Sequence, residues 1–271
     1  AAIAGDLVGA FAITEPESGS DTYAMATRAE RRGEGWLLTG HKAHITLAPV
    51  ADVAIVFAVT DPDAGRWGIS AFVVHTDRPG VECTPTKPKM GLRTTPFGDI
   101  VLDGYEAGAG DLLGAEGAGA SIFATCMESE RGVIMATHLG AAERVLHEAV
   151  ARANRREQFG QPIGAFQAVS HRLADLAMRH EAARLLLYKA AAAIGTGRRA
   201  TLPAAMAKLG ASEAIAEIAL DAARIHGARG YVTSYEVERE VRDALGGLVY
   251  SGTSDVQKNL IAALLGVTTG R

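Results

Sequence analysis

The chain has 271 residues, of which 48% are hydrophobic and 21% charged, so its composition is that of a globular protein and not of a disordered or collagen-like one. Its formal net charge is −4 and its lysines and arginines are scattered, which argues against a nucleic-acid partner. The longest apolar stretch is interrupted by Asp52 and falls short of the ~18 residues of a membrane span, and the first residues lack a secretion-signal pattern.

Cysteine and histidine usage points to a reducing compartment without a metal site. The two cysteines, Cys83 and Cys126, fall in segments of different predicted structure, so a structural disulfide is not expected and a cytoplasmic location fits. The eight histidines show no metal-ligand spacing. We therefore expect no metal.

Residues 1–107 are predicted to form a β domain. Short apolar runs such as 53–59 and 69–74 alternate with turn clusters, including DPDAG at 61–65. Prolines at positions 79, 85, 88 and 96 argue against long helices in this part of the chain. A glycine-rich link, 104–119, follows these strands.

Residues 115–271 are predicted to form an antiparallel helical bundle. The composition changes to alanine, leucine, glutamate and arginine, and apolar residues recur at spacings of three and four. Glycine-containing turns divide this region into helices. The predicted helices cover residues 117–153, 164–195, 202–227, 232–245 and 253–266.

The order of the elements predicts an α+β protein of two domains, a β-barrel-like domain followed by a helical bundle. In a doubly wound sheet strands and helices would alternate, and here all the strands come first. The chain also lacks a Rossmann fingerprint and a phosphate-binding loop. A nucleotide cofactor would therefore be held in another way.

Seven short segments follow one another in a specific order. They read TEPESGSD at 14–21, GHKAHIT at 40–46, REQFG at 156–160, FQ at 166–167, GARGY at 227–231, Arg239 with Arg242 and Asp243, and YSGTS at 250–254. From Gly9 to Gly266 this ordered set resembles the acyl-CoA dehydrogenase family. The resemblance implies a flavoprotein oxidoreductase with FAD bound between its β domain and its helices.

The resemblance also implies which residues contact cofactor and substrate. Those expected at the flavin and its nucleotide are Ile13, Thr14, Ser20, Ile45, Thr46 and Thr253. Those expected at the adenine dinucleotide end, commonly of a neighbouring subunit's FAD, are Arg156, Phe159 and Gln167. Those expected beside the substrate are Ser20, Arg131, Tyr250 and Ser251. A guanidinium suits a pyrophosphate because it offers paired donors; taken alone, Arg156 would be interpreted as a solvated arginine at a helix end.

Three positions depart from the family pattern. His44 stands where an aromatic Trp, Tyr or Phe is usual, Arg224 replaces a glutamine, and Ala228 replaces the second glycine of the Gly-Gly turn. The aromatic packing on the flavin is therefore expected to differ at His44. We carry over no nucleotide contact to Arg224 or Ala228.

The usual catalytic glutamate of the YEGT motif is replaced by Ser251, which cannot remove an α-proton. In isovaleryl-CoA, long-chain and some carrier-protein-linked prolyl dehydrogenases the base lies on an early helix, just before an arginine, and Glu130 precedes Arg131 here. Glu130 also lies on an apolar stripe at helical spacing, and burial makes a carboxylate a better base. We therefore predict Glu130 as the base, with Ser251 only filling space and Glu128 facing solvent. A surface position paired with Arg131 is the alternative for Glu130.

The resemblance implies α,β-dehydrogenation of an acyl thioester, with electron-transfer flavoprotein or oxygen as electron acceptor. The thioester would be an acyl-CoA or, alternatively, an acyl or aminoacyl group on a carrier protein. A dimer of dimers, that is, a homotetramer, is expected. Relatives usually begin with a helical domain that this sequence does not contain, so we expect a truncated or incompletely represented chain. A non-catalytic partner subunit of a hetero-oligomeric dehydrogenase is the remaining alternative.

Overall fold

The computed structural model describes residues 1–268. The chain folds into two compact units, which we call the sheet unit and the helical unit. The sheet unit comprises Ala1–Lys89 and Arg93–Thr125, and the helical unit comprises Met90–Leu92 and the chain from Cys126 onward. In the described part of the chain, no helix is both long and apolar enough to cross a membrane.

The sheet unit contains one eight-stranded mixed sheet. Its strands are β1 (Gly9–Ala12), β2 (Arg28–Arg32), β3 (Gly35–Thr46), β4 (Val53–Val59), β5 (Ile69–His75), β6 (Val81–Cys83), β7 (Phe97–Ala107) and β8 (Leu112–Leu113). The order is β6-β7-β3-β2-β4-β5-β8, and β1 pairs in parallel with β4. Among the described residues β6 and β8, at the two ends, do not pair, so the barrel-like domain expected from the sequence is an open sheet.

The sheet encloses an apolar core because its strands place alternate or successive apolar side chains on a covered face. The predicted runs at 53–59 and 69–74 correspond to β4 and β5, which pair along their whole length. Leu38, Phe72 and Tyr105 are fully buried in this core. Strand β3 carries an irregularity opposite β7 between Lys42 and Ile45. That irregularity lies in the GHKAHIT segment.

Among the described residues, the helical unit contains six α-helices or parts of them, one more than the five that the sequence predicts. The helices of the chain are α1 (Gly119–Val133), α2 (Ala136–Arg155), α3 (Gln167–Gly195), α4 (Thr201–His226), α5 (Val237–Gly246) and α6 (Ser254–Leu264), and a hairpin of β9 (Glu157–Gln158) and β10 (Gln161–Pro162) precedes α3. The helix predicted at 117–153 is divided by a turn at Ile134 and Met135. The bundle predicted from the sequence is confirmed.

Small residues let the long helices pack closely. Helix α4 buries alanines at 204, 205, 207, 211 and 214, and its partners α2 and α3 contribute larger apolar side chains such as Leu146 and Leu176. An alanine offers little side-chain bulk, so neighbouring backbones approach closely along α4. One lysine, Lys208, is fully buried within this alanine-rich helix. That position bears on the site described below.

A short excursion of the chain, Met90–Leu92, completes the helical unit. The Leu92 N–H donates to the Asp243 carboxylate at 2.6 Å, and the Arg242 guanidinium donates to the Met90 carbonyl at 2.8 Å. A Cβ on Gly91 would lie 2.3 Å from the Arg242 carbonyl oxygen, so only glycine fits this approach. Helix α5 is therefore held by residues that lie far from it in sequence.

Candidate active site

The side chain of Glu130 contacts the turn that follows α5. The turn consists of Tyr250, Ser251 and Gly252, and the Ser251 hydroxyl donates a hydrogen bond to Oε1 of Glu130. Glu130 lies in the last turn of α1 and is partly buried. The structure thus brings the predicted base directly to the position where the family pattern places its usual glutamate. Ser251, which was expected only to fill space, also makes a specific polar contact.

The carbonyl oxygens of this turn are held by three side chains. Arg131 donates through Nε to the Ser251 carbonyl at 3.0 Å, and Gln257 donates to the same oxygen at 3.1 Å. Lys208 donates through Nζ to the Gly252 carbonyl at 2.7 Å. Arg131, predicted beside the substrate, therefore has a structural contact to the turn that carries Ser251.

Burial and neighbouring charges shift the acidity of two groups around Glu130. Burial, and to a lesser extent the charge of Glu130, raises the pKa of Tyr250 to about 12, so its hydroxyl stays protonated at neutral pH. Burial, together with repulsion from Arg131, lowers the pKa of Lys208 to about 8. The Tyr250 hydroxyl lies 3.4 Å from Nε2 of His138. Tyr250, Ser251, Glu130 and Arg131 therefore form one cluster within the helical unit.

Glu128 does not face solvent, contrary to the expectation from its spacing. Its carboxylate accepts the Ala200 N–H at 2.9 Å and the Thr201 hydroxyl at 2.5 Å. Ala200 immediately precedes α4, so Glu128 satisfies a backbone donor that the start of that helix leaves unpaired. Cys126, one turn before Glu130 on α1, is exposed. Helical spacing therefore does not by itself distinguish the surroundings of Glu130 from those of Glu128.

Thr253 caps helix α6. Its side chain accepts a hydrogen bond from the Val256 N–H at 3.2 Å, which is the geometry of an N-terminal cap. The cap fixes the entry of the chain into α6 directly after the turn that carries Ser251. A flavin contact of Thr253 remains a prediction.

A cationic cavity of about 700 Å³ lies between the end of α2 and the segment after α4. It is lined by Glu148, Arg152, Arg155, Arg156, Glu157, His226, Arg229, Tyr235 and Val237. Four arginines thus face two glutamates. Burial and repulsion from the other three arginines lower the pKa of Arg152, and its Nε is buried without a hydrogen-bond partner in the described structure. Such a cavity suits an anion with several oxygen acceptors.

The other residues predicted at the dinucleotide end lie near this cavity in sequence but are exposed. Phe159 is 94% exposed at the tip of the β9–β10 hairpin, with a positive φ of 54° and its ring edge-to-face with Phe166 at 6.0 Å. Gln167 begins α3 and is also exposed. An aromatic side chain exposed to this extent is typical of a contact surface.

In the sheet unit, the segment after β1 is anchored by a buried ion pair. Lys42 on β3 donates through Nζ to Glu15 at 2.7 Å and to the Ile13 carbonyl at 3.2 Å. The Thr14 carbonyl accepts the Ala43 N–H at 2.8 Å. Ile13 and Thr14, both predicted at the flavin, are therefore held in place through their backbone.

The remaining predicted residues of the sheet unit differ in exposure. Ile45 is buried in the core of the sheet, so any contact it makes with a ligand would use its backbone, whereas Ser20 and Thr46 are exposed. His44 is exposed with a φ of 61°, and its N–H donates to Asp99 at 3.0 Å. The irregularity in β3 thus turns the His44 side chain outward.

Four polar residues of these sites are not among those expected from the sequence: Glu15, Lys42, Lys208 and Arg152. Glu15 and Lys42 lie inside the two segments that carry the resemblance, but nothing in the sequence shows that they pair. Lys208 could have been noticed as a charge at helical spacing among buried alanines. Arg152 becomes notable only when the fold brings Arg229 close to it.

Comparison with known proteins gives a consistent result. Residues 10–105 match the family described as "Acyl-CoA dehydrogenase, middle domain", and residues 117–266 match "Acyl-CoA dehydrogenase, C-terminal domain". An L-prolyl-[peptidyl-carrier protein] dehydrogenase of Pseudomonas fluorescens is 40% identical over 95% of this chain and 68% of its own length. An acyl-CoA dehydrogenase of Bacillus subtilis is 44% identical over 96% of this chain and 69% of its own length.

A solved structure agrees with these matches. The prolyl acyl carrier protein oxidase AnaB superposes with a TM-score of 0.95 at 41% identity, covering 97% of this chain and 70% of its own. The order of the units, the motif segments and the matched residues all agree. This chain belongs to the acyl-CoA dehydrogenase family.

Proposed function

We propose that this protein catalyses FAD-dependent α,β-dehydrogenation of an acyl thioester, with Glu130 as the base that removes the α-proton. The contact between Glu130 and Ser251 supports this assignment most directly. It places a carboxylate against the position that holds the catalytic glutamate in other members. The chain is therefore a flavin oxidoreductase whose base comes from α1 and not from the turn after α5.

Residues of the helical unit have different roles around the α-carbon of the substrate. The Glu130 carboxylate accepts the α-proton, and Arg131 fixes the turn that faces it through the Ser251 carbonyl. Tyr250 remains a neutral hydrogen-bond donor because its pKa is raised to about 12. FAD supplies the hydride acceptor when it is bound. The protein residues supply orientation and the proton acceptor.

The cationic cavity supports the proposed binding of the FAD pyrophosphate by Arg156. Four guanidinium groups outnumber the two glutamates that line the same cavity, and the buried Nε of Arg152 has no partner in the described structure. Phe159 and Gln167 would contact the same cofactor from their exposed positions. Arg156→Ala is expected to weaken FAD retention, measured as the flavin-to-protein ratio after gel filtration. Unchanged occupancy would remove Arg156 from the site.

The test of the base compares two substitutions on one helix. Glu130→Gln is expected to lower the rate of substrate-dependent flavin reduction by about 10²–10⁴-fold or more, because the amide keeps the shape of glutamate but accepts no proton. Glu128→Gln is the matched control and is expected to keep most of the rate, since the hydrogen bonds that Glu128 makes within the described chain go to α4 and the residue before it. Anaerobic stopped-flow absorbance of the flavin measures both. Normal reduction in Glu130→Gln would refute the assignment.

A relocation experiment tests whether positions 130 and 251 face the same α-carbon. The double variant Glu130→Ala with Ser251→Glu is expected to regain measurable flavin reduction over Glu130→Ala alone. Recovery is expected to be partial, because the new carboxylate lacks the contacts that now surround Glu130.

The group to which the acyl chain is attached as a thioester has two candidates, coenzyme A and a carrier protein. Two of the relatives are named for a prolyl group on a carrier protein, whereas the Bacillus subtilis relative is named for acyl-CoA. We propose acyl-CoA as the leading substrate class and an acyl or aminoacyl carrier protein as the alternative. Mass spectrometry of products from matched coenzyme A and carrier-bound thioesters would separate them.

We also propose the electron acceptor and the oligomeric state. Electron-transfer flavoprotein or oxygen would reoxidise the flavin, and a dimer of dimers would let Arg156 and Gln167 reach a neighbour's cofactor. Light scattering should show a tetramer, and a stable monomer that retains FAD would contradict it. If the chain were instead a non-catalytic partner subunit, the protein purified alone would not bleach with any thioester.

A further inference from the structure

The serine at position 251 stands in a backbone conformation that glycine adopts more readily. Ser251 has a φ of 55°, and Gly252 follows with a φ of 89°. Residues with a Cβ seldom occupy this left-handed region because of steric repulsion. Glycine at position 251 would relieve that strain, so the backbone of the turn does not require serine. The hydroxyl group is the part of Ser251 that makes a contact the turn could not otherwise make.

The turn that carries this hydroxyl is rigidly held. Gln257 donates to both the Ser251 and Gly252 carbonyls, at 3.1 and 3.2 Å, and Lys208 donates to the Gly252 carbonyl. Gln257 and Lys208 are both fully buried. A Cβ on Gly252 would lie 2.5 Å from the Gln257 amide nitrogen, so the turn fits its surroundings tightly. The direction of the Ser251 side chain is therefore set before any ligand binds.

We propose that Ser251 is a positioning residue for Glu130, whose carboxylate it orients through its hydroxyl. The hydrogen bond uses Oε1, and in the described part of the chain no donor contacts Oε2. Oε2 is therefore the oxygen that remains available for a proton. A carboxylate held in one orientation presents that oxygen within hydrogen-bond reach of the proton it removes. This inference rests on the proposed role of Glu130.

The role of a space-filling residue makes a different prediction. If Ser251 only occupied volume, alanine would replace it without consequence and glycine would leave a small gap. If the hydroxyl matters, alanine and glycine both remove the donor and have the same effect on Glu130. The two variants differ in backbone strain, because glycine relieves it and alanine retains it.

The first experiment measures the exposure of the Glu130 carboxylate without turnover. Glu130 is coupled to glycine ethyl ester with a water-soluble carbodiimide at one fixed pH in the FAD-loaded protein, and labelling is quantified by peptide mass spectrometry. In both Ser251→Ala and Ser251→Gly the extent of labelling should rise severalfold, because Oε1 is no longer held by a hydrogen bond. Ser129→Ala, at an exposed serine beside Glu130, is the control and should leave the labelling unchanged.

The second experiment measures the limiting rate of flavin reduction with an acyl-CoA substrate, together with the substrate concentration that gives half of that rate. In both variants the limiting rate should fall on the order of tenfold, which corresponds to one lost hydrogen bond to a charged group, while the half-saturating concentration should stay at the wild-type value. Equal labelling and equal limiting rates in wild type and both variants would overturn the inference, as would an effect in Ser251→Ala that is absent from Ser251→Gly. If none of the acyl thioesters reduces the wild-type flavin, the proposed function fails, and the labelling comparison alone decides the role of Ser251.

Discussion

The two units each bury a lysine completely, but they compensate its charge differently. Lys42 in the sheet unit pairs with the carboxylate of Glu15, whereas Lys208 in the helical unit donates to the Gly252 carbonyl. Burial lowers the pKa of both to about 8, and Glu15 opposes that shift at Lys42 while Arg131 adds to it at Lys208. The same acidity is thus reached from opposite electrostatic surroundings.

This difference indicates that the buried charges serve different purposes. At Glu15, burial acts to raise the pKa, but hydrogen bonds from Lys42 and from backbone N–H groups outweigh it and hold the pKa below its usual value. The sheet unit therefore uses a closed, paired charge to fix a backbone segment. The helical unit accepts an unfavourable cation next to the turn that carries Ser251. Four substitutions test this comparison, beginning with the one of largest expected effect.

Lys42→Met should be strongly destabilising. It leaves the Glu15 carboxylate buried without its cation, and breaking a buried ion pair costs about 3–5 kcal/mol. Urea unfolding followed by circular dichroism at pH 7 and saturating FAD measures the loss. Adding Glu15→Gln should recover part of it, because no charge then remains buried. If the double variant were less stable than Lys42→Met alone, the pair would not be the cause.

Lys208→Met should change the pH dependence of stability more than stability itself. The pKa of Lys208 is about 8 in the folded protein and about 10.5 when the lysine is fully solvated, so between these pH values the folded state binds fewer protons than the unfolded state and the contribution of Lys208 to stability rises with pH. Below pH 8 the cost of the buried cation is present in full. Relative to Lys208→Met, wild type should gain on the order of 2 kcal/mol between pH 8 and 10. If the urea midpoints of wild type and Lys208→Met differed by a constant amount from pH 8 to 10, the contrast drawn between the two lysines would be contradicted.

Glu128→Ala should cost about 1 kcal/mol, which is typical for loss of a helix cap. Glu128 accepts the Ala200 N–H and the Thr201 hydroxyl at the start of α4, and α4 also carries Lys208. The loss should appear as a lower urea midpoint with an unchanged slope. Glu128→Gln should lose less, because its amide oxygen still accepts one bond. An effect confined to flavin reduction would instead connect Glu128 to the chemistry.

Arg184→Ala should have no measurable effect on stability. Arg184 forms an exposed pair with Glu181 three residues before it on α3, and exposed pairs contribute little because water screens them. The urea midpoint should match wild type in both low and high salt. This variant provides the baseline against which the buried lysines are judged. A clear loss would mean that α3 is not solvent-exposed there in the assembled protein.

Regular elements were predictable from the sequence where one periodicity dominates. The run at 53–59 is strand β4, and the helices predicted at 202–227 and 253–266 correspond to α4 and α6 within a few residues. The turn at Ile134 and Met135 was not predictable, because apolar spacing continues through it. That the sheet is open and not a closed barrel was not predictable either, since closure depends on pairing between edge strands that are distant in sequence.

The sequence predicted which residues form the candidate site but not which of them contact one another. The loss of a glutamate at 251 and its gain at 130 led to the prediction that Glu130 is the base, and in the structure the side chains of residues 130 and 251 are hydrogen-bonded. Helical spacing alone could not show that Glu128 caps α4, because its partners lie about seventy residues away in sequence. For the same reason, the sequence did not show that Glu15 pairs with Lys42.

The excursion at Met90–Leu92 restricts how this protein can be divided. A fragment that begins after the glycine-rich link would contain every helix yet lack the tripeptide whose backbone meets Arg242 and Asp243 on α5. A single crossover in the link would likewise join a bundle from one parent to a tripeptide from another. Chimeras that exchange helical bundles between relatives therefore need two crossovers, so that each bundle keeps its own residues 90–92.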